Sequence, residues 1–261
     1  MMRYRFLSCY LWLSLIAICG VLTSCQKDVQ SGAPGVYDLK ISFKPTVDAA
    51  ALVPGKTYQN AFGEDYSINT FKFYLHAVEF INTLDGSAYR LNSNDHFLID
   101  LLDSSFSGLQ LKIQVSAYNR IAFIVGVDSA RNVSGAQTGD LDPAKGMFWT
   151  WNTGYIMAKL EGNSPLVATP NNVIQYHIGG FKASESALRK IVLDFPSSRT
   201  IQWKEGKKSD VLITANVNSW FKKTHDIRIS DKAVSMTPGQ LAIKIADNYS
   251  RMFTVVDILH E

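Results

Sequence analysis

The sequence has little cysteine and no excess of charge. Its three cysteines are at positions 9, 19 and 25 of 261, and the first two fall in an apolar start that we interpret as a removed leader. One cysteine then remains, so no intrachain disulfide can form. The chain has 26 basic and 23 acidic residues, and Arg3 and Arg5 belong to that leader. A nucleic-acid surface needs clustered Lys and Arg, so this balance argues against such a partner.

The common catalytic motifs are also missing. The sequence has no G-x-S-x-G, no H-E-x-x-H, no phosphate-binding loop and no G-x-G-x-x-G. No spacing of its acids singles out a carboxylate pair, and acylation of Cys25 would remove the thiol as a nucleophile. We therefore predict that the chain is not an enzyme.

The longest hydrophobic run, residues 6–21, lies at the beginning of the chain after a basic start. This pattern is typical of a secretory signal peptide, which we assign to residues 1–24. The following Leu-Thr-Ser-Cys, residues 22–25, resembles the bacterial lipoprotein box, in which cleavage leaves a lipidated cysteine. Acyl chains on Cys25 would anchor the protein to a membrane, because each buried CH₂ contributes about 0.8 kcal/mol. The alternative is a plain signal peptide with a chance cysteine.

Residues 25–35 are polar and contain glycine and proline, which is typical of a flexible tether. Residues 26–28, Gln-Lys-Asp, resemble the export tag of Bacteroidetes surface lipoproteins, although Val29 stands where that tag usually carries a further acid. We expect an outer-membrane lipoprotein, facing either the periplasm or the cell surface. One folded domain, residues 36–261, follows the tether.

This domain is predicted to be rich in strands. Residues 38–43, 109–115 and 210–217 alternate apolar and polar residues, which indicates strands with one buried face. Other strand candidates are residues 71–80, 96–102, 121–127, 155–160, 173–178 and 188–195.

One helix is predicted near the end of the chain. It would be capped by Thr237, and Leu241, Ile245 and Tyr249 follow at helical spacing. We therefore predict an all-β fold, a two-sheet antiparallel β-sandwich with one short C-terminal helix.

Histidine and tryptophan supply the candidate metal ligands. Trp149 and Trp151 project from one face if their segment is extended. His76 and His177 lie in predicted strands, and imidazoles converging from separate strands could hold copper or zinc. The alternatives are a core or surface-binding aromatic pair and histidines that serve only the structure.

A long polar loop, residues 128–146, is a second candidate for function, because long ordered loops often carry function. Its acids Asp128, Asp140 and Asp142 could bind calcium. Their spacing matches no EF-hand, so the sequence does not favour a calcium site.

Several segments together resemble the MbnP-like copper-binding family, over about residues 36–260. They are Gly-Val-Asp at 126–128, Gly-Asp-Leu-Asp-Pro at 139–143, Gly-Met-Phe-Trp-Thr-Trp-Asn-Thr-Gly-Tyr at 146–155, Lys-Leu-Glu-Gly at 159–162 and Tyr-His-Ile-Gly at 176–179. The Trp-x-Trp-x-x-Gly-Tyr segment with a downstream His-x-Gly is the most specific of these features.

The resemblance implies a secreted β-sandwich protein that binds copper. In some members a di-haem cytochrome c peroxidase-like partner oxidises a tryptophan to kynurenine, which then joins histidines at the metal. His177 matches the His-x-Gly motif, and Trp149 and Trp151 match the tryptophan pair, so kynurenine would form at one of these two. His76, where relatives carry a small polar residue, is the candidate second histidine. The mature chain lacks the cysteine pair of some relatives.

Two functional hypotheses follow. The first is a lipoprotein that binds copper for uptake, storage or scavenging. The alternative is a non-catalytic binding or structural lipoprotein of the cell surface that has lost the metal site.

Overall fold

A computed structural model describes residues 35–151, 154–197 and 207–260, together with positions 199, 201 and 203. The predicted signal peptide, Cys25 and nearly all of the tether lie outside the described residues. So do Asn152 and Thr153 of the aromatic segment. No helix in the described ranges is both long and apolar enough to span a membrane.

The described residues form two sheets. The first has the strand order β15-β13-β1-β2, and β7 also pairs with β1. Its strands are β1 (Val36–Val47), β2 (Ala50–Ala51), β7 (Leu109–Gln114), β13 (Ser209–Asn216) and β15 (Phe253–His260).

The second sheet has ten strands in the order β12-β8-β4-β10-β11-β14, with β3, β5 and β6 pairing with β4 and β9 pairing with β10. Its strands are β3 (Tyr58–Gln59), β4 (Asp65–Ile81), β5 (Ala88–Arg90), β6 (His96–Asp100), β8 (Arg120–Val125), β9 (Phe148–Trp149), β10 (Gly154–Asn163), β11 (Val173–Gly179), β12 (Arg189–Asp194) and β14 (Val234–Ser235).

The predicted β-sandwich and its C-terminal helix are confirmed, but the sheets are mixed. β1 pairs in parallel with β13, and β11 pairs in parallel with β14, whereas the other strand pairs in the described ranges are antiparallel. Parallel neighbours need a long connection rather than a tight turn. Here the two partners of each pair are far apart in the chain, which periodicity cannot reveal.

Aromatic side chains join the two sheets. Phe43 and Phe253 from the first sheet meet Phe73 and Phe123 from the second, with ring centroids 5.3 to 6.4 Å apart. All four rings are buried and meet edge to face, an arrangement that aromatic pairs favour. This cluster fixes the face of β4 that points into the core.

The opposite face of β4 carries the polar residues. Successive strand residues point to opposite faces, so Tyr74 and His76 lie on the face away from Phe73. The Tyr74 hydroxyl donates to the backbone oxygen of Asp140 at 3.0 Å. The long loop that contains Asp140 therefore covers this face and buries the residues beneath it.

Within the described residues there are two α-helices, α1 (Ser129–Val133) and α2 (Gln240–Tyr249). α2 is the predicted C-terminal helix, but its N-cap is Gly239 rather than Thr237. Gly239 has a φ of 137°, which favours glycine, and it turns the chain into the helix. α1 was not predicted, because its five residues carry no apolar periodicity.

Candidate metal centre

Two histidines and one aspartate form the group of potential metal ligands in the described part of the chain. One ring nitrogen each from His76 and His96 and one carboxylate oxygen from Asp128 all lie within 4.8 Å of one another. The two imidazoles stack, with centroids 4.8 Å apart and ring planes at 17°. We call this group the His-His-Asp cluster.

Three strands bring the cluster together. His76 on β4 lies directly opposite His96 at the start of β6. His76 is also paired with Ile124 of β8, and Asp128 follows four residues later. The ligands therefore depend on β4 having β6 and β8 as neighbours.

The backbone beside His76 is irregular. The register between β4 and β8 shifts after His76, and Ala77 adopts a φ of 51°, which is uncommon for a residue other than glycine. Bulges of this kind re-aim side chains and occur frequently next to functional sites. Glycine is favoured at 126, because its φ is 117° and a Cβ at this position would lie 2.9 Å from Sδ of Met157.

Backbone carbonyls orient both imidazoles. Nδ1 of His76 is 2.9 Å from the oxygen of Gly126, and Nδ1 of His96 is 3.0 Å from the oxygen of Asn94. A carbonyl can only accept, so each Nδ1 carries a proton and each Nε2 keeps a lone pair in the neutral ring. Metal-binding histidines are commonly held in this way.

The Asp128 carboxylate is fixed at one oxygen and free at the other. Oδ1 accepts from the backbone N–H of Arg131 at 3.0 Å, so Asp128 caps α1. Oδ2 lies 2.9 Å from Nε2 of His96. The side chain of His96 is 1% exposed, while that of Asp128 is 33% exposed and faces solvent.

The contact between His96 and Asp128 is an ion-pair distance without hydrogen-bond geometry. Nε2 of His96 is buried and has no hydrogen-bond partner, although Oδ2 of Asp128 is 2.9 Å away. Two lone pairs at this distance repel each other, so either a proton or a metal ion lies between them. A metal ion bound by both atoms removes the repulsion and also satisfies the buried nitrogen.

The surroundings favour ligand-ready protonation states. Burial lowers the pKa of His76 below its ordinary value, and the neighbouring His96 lowers it further against the opposing hydrogen bond that Nδ1 donates to the oxygen of Gly126. Burial acts to raise the pKa of Asp128. The N–H of Arg131 and the two histidines outweigh burial, so the pKa of Asp128 lies below its usual range. Burial thus favours the neutral ring of His76, and the groups around Asp128 favour its ionised form.

His177 lies in a different environment. Its Nε2 makes a 2.6 Å hydrogen bond with Oε1 of Glu161, and Nζ of Lys159 is 3.5 Å from the same oxygen. The hydrogen bond from His177 lowers the pKa of Glu161 to about 2 against the effect of burial. Nδ1 of His177 is buried without a partner. Nε2 of His177 is therefore already engaged by the carboxylate of Glu161, beside the ammonium group of Lys159.

The tryptophan pair lies close to β11, the strand that carries His177. Trp149 is 4% exposed and packs over Gly179, where an added Cβ would lie 2.5 Å from the indole ring. Gly179 shares a strand face with His177, two residues earlier. Nε1 of Trp149 has no hydrogen-bond partner, and its ring centroid is 5.7 Å from that of Trp151, which is 60% exposed.

The structure thus separates the predicted ligands into two groups. His177 pairs with Lys159, and Lys159 pairs with Lys72, four residues before His76. With strands about 4.8 Å apart and a rise of about 3.3 Å per residue, the backbones of His76 and His177 are roughly 16 Å apart. One ion cannot reach both histidines. Trp149 accompanies His177, whereas His76 joins His96 and Asp128.

The remaining acids of the long loop serve the structure. Asp140 pairs with Lys145 at 2.6 Å and accepts from the N–H of Leu98. Asp142 accepts from the N–H of Ala144 and caps a short 3₁₀ turn. Of the three acids considered for calcium, Asp128 alone belongs to a group of potential metal ligands in the described residues.

The profile of the MbnP family matches residues 36–238, more than half of the chain. The chain belongs to the MbnP family. Among solved structures, MbnP from Methylosinus trichosporium is similar, with 15% sequence identity, a TM-score of 0.48, and coverage of 74% of this chain and 80% of that chain. The family assignment rests on the profile. No curated protein matches.

MbnP is a copper-binding family, and the His-His-Asp cluster fits that metal. Imidazole nitrogen is a common copper ligand, and nitrogen and oxygen donors together suit copper(II). The specific observation that fits is that Nε2 of His96, buried and without a hydrogen-bond partner, lies 2.9 Å from Oδ2 of Asp128 in a group with a second imidazole.

The sequence did not single out His96 or Asp128 as partners of His76. The available signals were a histidine opening one predicted strand and the Gly-Val-Asp that ends another. Their convergence depends on which strands are neighbours, and a single sequence does not encode that order visibly.

Proposed function

We propose that this MbnP-family protein is an envelope lipoprotein that binds copper at His76, His96 and Asp128, in the service of copper uptake, storage or scavenging. The observation that carries the proposal is the cluster itself: two imidazoles oriented by carbonyls and one carboxylate held by a helix cap. The bound metal would supply no reaction here. We propose binding without catalysis.

The chain's own residues would do three things for the metal. Gly126 and Asn94 hold the imidazoles in the tautomer that presents Nε2. Asp128 supplies a negative charge that offsets part of the charge of the ion. The loop over β4 excludes water from His76 and His96, both less than a tenth exposed, so that exchange is confined to the Asp128 side.

The test is metal stoichiometry on the full chain purified from its own envelope. We expect one copper per chain, and tighter binding of copper(II) than of zinc in competition, as the general order of divalent affinities requires. The double variant His76→Ala/His96→Ala should lose the metal, and His260→Ala, an exposed histidine, should keep it. Metal-free protein from copper-replete cells would contradict the proposal and favour a surface module without metal.

The membrane anchor is part of the proposal and has its own test. Cys25→Ser should move the protein from the membrane fraction to the soluble fraction and abolish incorporation of labelled palmitate. Cys19→Ser is the matched control, because that cysteine would be removed with the signal peptide. Protease treatment of intact cells then distinguishes the surface face from the periplasmic face of the outer membrane.

The oxidation of a tryptophan remains a further part of the proposal. Trp149 or Trp151 would be converted to kynurenine by a di-haem cytochrome c peroxidase-like partner. Peptide mass spectrometry of the native protein tests this directly. Unmodified tryptophan at both positions in copper-loaded protein would remove the partner from the proposal and leave copper binding intact.

A further inference from the structure

We propose that a polar cavity beyond the last residue of β1 binds a small anion that carries hydroxyl groups, of the chemical class of sugar acids and sugar phosphates. The cavity measures about 280 Å³, and its lining comes from β3, the turn after β1 and the residues that follow β13. Ligand pockets commonly measure about 300–1,000 Å³, so this cavity suits a small solute. We call it the amide-lysine cavity.

The amide-lysine cavity is separate from the His-His-Asp cluster. Its wall residue Asn218 is contacted by Tyr66, and Tyr66 precedes His76 by ten residues on β4. At a rise of about 3.3 Å per residue, the backbones of Tyr66 and His76 are roughly 30 Å apart. A ligand in this cavity therefore does not depend on bound copper.

One wall of the cavity consists of amide side chains that are already fixed. Asn218 is 9% exposed; its Oδ1 accepts the hydroxyl of Tyr66 at 2.7 Å, and its Nδ2 donates to Oδ2 of Asp48 at 2.8 Å. Asn216 accepts the backbone N–H groups of Asp48 and Asn218 through Oδ1, each at 3.0 Å. These bonds hold the turn after β1 against the end of β13, so this wall is formed before a ligand binds.

A buried carboxylate holds another part of the lining. Nδ2 of Asn60 donates to Oε2 of Glu64 at 2.6 Å. The same carboxylate accepts the backbone N–H groups of Ile229 and Ser230 at 2.8 and 3.0 Å, and the hydroxyl of Ser230 at 2.6 Å. The segment after β3 is thus tied to residues 229–230, which keeps Asn60 in place at the cavity.

Two lysines give the cavity its preference for an anion. Lys222 and Lys223 both belong to the lining and are exposed, and within the described ranges neither forms an ion pair with a carboxylate. Nζ of Lys222 lies 5.1 Å from the centroid of the Phe62 ring, which Arg228 also approaches at 4.2 Å. Ammonium groups bind phosphate and carboxylate oxygens through charge-assisted hydrogen bonds. Two unpaired lysines at one cavity therefore favour a ligand with such a group.

Asp48 adds the requirement for hydroxyl groups. Its carboxylate belongs to the same lining and would repel a bare anion, but its remaining lone pairs can accept hydrogen bonds from hydroxyl donors. Asp48 also has a φ of 52°, a strained conformation for a residue other than glycine, and such strain is concentrated at functional sites. A ligand that combines an anionic group with hydroxyls satisfies both the lysines and Asp48.

Ser219 provides an independent indication. It is part of the lining, and its buried Oγ has no hydrogen-bond partner among the residues that the structure describes. Buried polar groups are nearly always paired in proteins, and a bound water or ligand is a common explanation for an exception.

The experiment is isothermal titration of the purified full chain with glucuronate and with glucose 6-phosphate, compared with glucose and with inorganic phosphate. We expect saturable binding of at least one of the first two, at least about tenfold tighter than that of glucose, because glucose lacks the group that the lysines bind. The tighter of the two shows whether the anionic group is a carboxylate or a phosphate. Binding of inorganic phosphate as tightly as either sugar anion, or no saturable binding of both, would overturn the proposal.

Variants test the two halves of the cavity separately. Lys222→Gln/Lys223→Gln should lower the affinity for the sugar anion by about 10- to 100-fold, whereas Lys244→Gln, an exposed lysine on α2, should leave it unchanged. Asp48→Asn keeps a side chain that tolerates a positive φ. It should weaken the sugar anion by about threefold to tenfold without weakening inorganic phosphate, because a hydroxyl acceptor and a repelling charge are lost together. An affinity that neither variant changes would place the ligand elsewhere and overturn the proposal.

Discussion

The His-His-Asp cluster and the surroundings of His177 both combine a buried imidazole with a carboxylate, but they use the carboxylate differently. At His177 the carboxylate of Glu161 forms a hydrogen bond of 2.6 Å with the ring. At His96 the carboxylate of Asp128 lies 2.9 Å from Nε2 without a hydrogen bond. The Glu161–His177 pair thus shares a hydrogen bond and leaves Nδ1 of His177 without a partner, whereas the two facing atoms of the Asp128–His96 pair leave room for a proton or a metal ion between them.

The charges around the two sites strengthen this contrast. Lys159 lies 3.5 Å from the Glu161 oxygen, so a metal at His177 would face a fixed cation. At the cluster the hydrogen-bond donor beside Asp128 is the neutral backbone N–H of Arg131. A histidine beside a carboxylate is thus a candidate metal ligand when the pair lacks both a shared hydrogen bond and a neighbouring cation.

The largest expected effect separates the two sites directly. His96→Ala should lower copper affinity by at least about 100-fold, since loss of a ligand should cost no less than loss of a supporting group. His177→Ala should change it by less than about threefold. Isothermal titration with copper(II) measures both. The opposite ranking would show that the metal binds near His177 and not at the His-His-Asp cluster.

The next effect concerns Asn132, which links the His-His-Asp cluster to the strand that follows the tryptophan pair. Asn132 donates to the backbone oxygen of Asp128 and accepts from the N–H of Tyr155 at 2.8 Å. Asn132→Ala should lower copper affinity about 10- to 100-fold, because the carboxylate loses its support. Asn248→Ala is the control: Asn248 is equally buried and hydrogen-bonded, but to Trp220 and His225, so it should reduce thermal stability alone.

A smaller effect is expected beneath the tryptophan. Gly179→Ala places a Cβ 2.5 Å from the Trp149 ring and should destabilise the fold by about 2 kcal/mol through overpacking. Copper affinity should not change. Chemical denaturation followed by tryptophan fluorescence gives the first quantity, and titration of the folded variant gives the second. A loss of copper affinity comparable to that of His96→Ala would show that the two sites are coupled.

The smallest effect depends on pH. The folded-state pKa of Glu161 is about 2, below the ordinary 4.5, so its stabilisation is present above pH 4.5 and is lost as pH falls toward 2. Glu161→Gln should therefore cost about 1 kcal/mol near neutral pH and almost nothing near the low end of that window. Urea denaturation across this range measures it. A difference that does not vary with pH would contradict the assigned pKa.

Much of the fold could be predicted from the sequence because local patterns carry it. The alternation at 109–115 became β7, and the helical spacing of Ile245 and Tyr249 became α2. The parallel pairing of β1 with β13 was not predictable, since it joins residues 170 positions apart, such as Leu39 and Ser209.

The site was harder to predict for the same reason. His177 and Trp149 each lie in a short segment whose residues form a recognisable motif. His96 and Asp128 stand alone in the sequence, and they join His76 through strand neighbours and a bulge at Ala77. The metal-binding roles of His177, Trp149 and Trp151 remain predictions, which the variants above address.

The last strand of the first sheet lies beyond the segment that defines the family. β15 pairs along β13 from Ala215 to Ser209, yet the family profile ends at residue 238. A truncated protein stopping there would lack both α2 and β15, and β13 would become an open edge with unpaired backbone groups. Exposed edges of this kind invite association with other chains. Expression trials should therefore extend to residue 260, because the segment recognised by similarity is shorter than the segment that can fold.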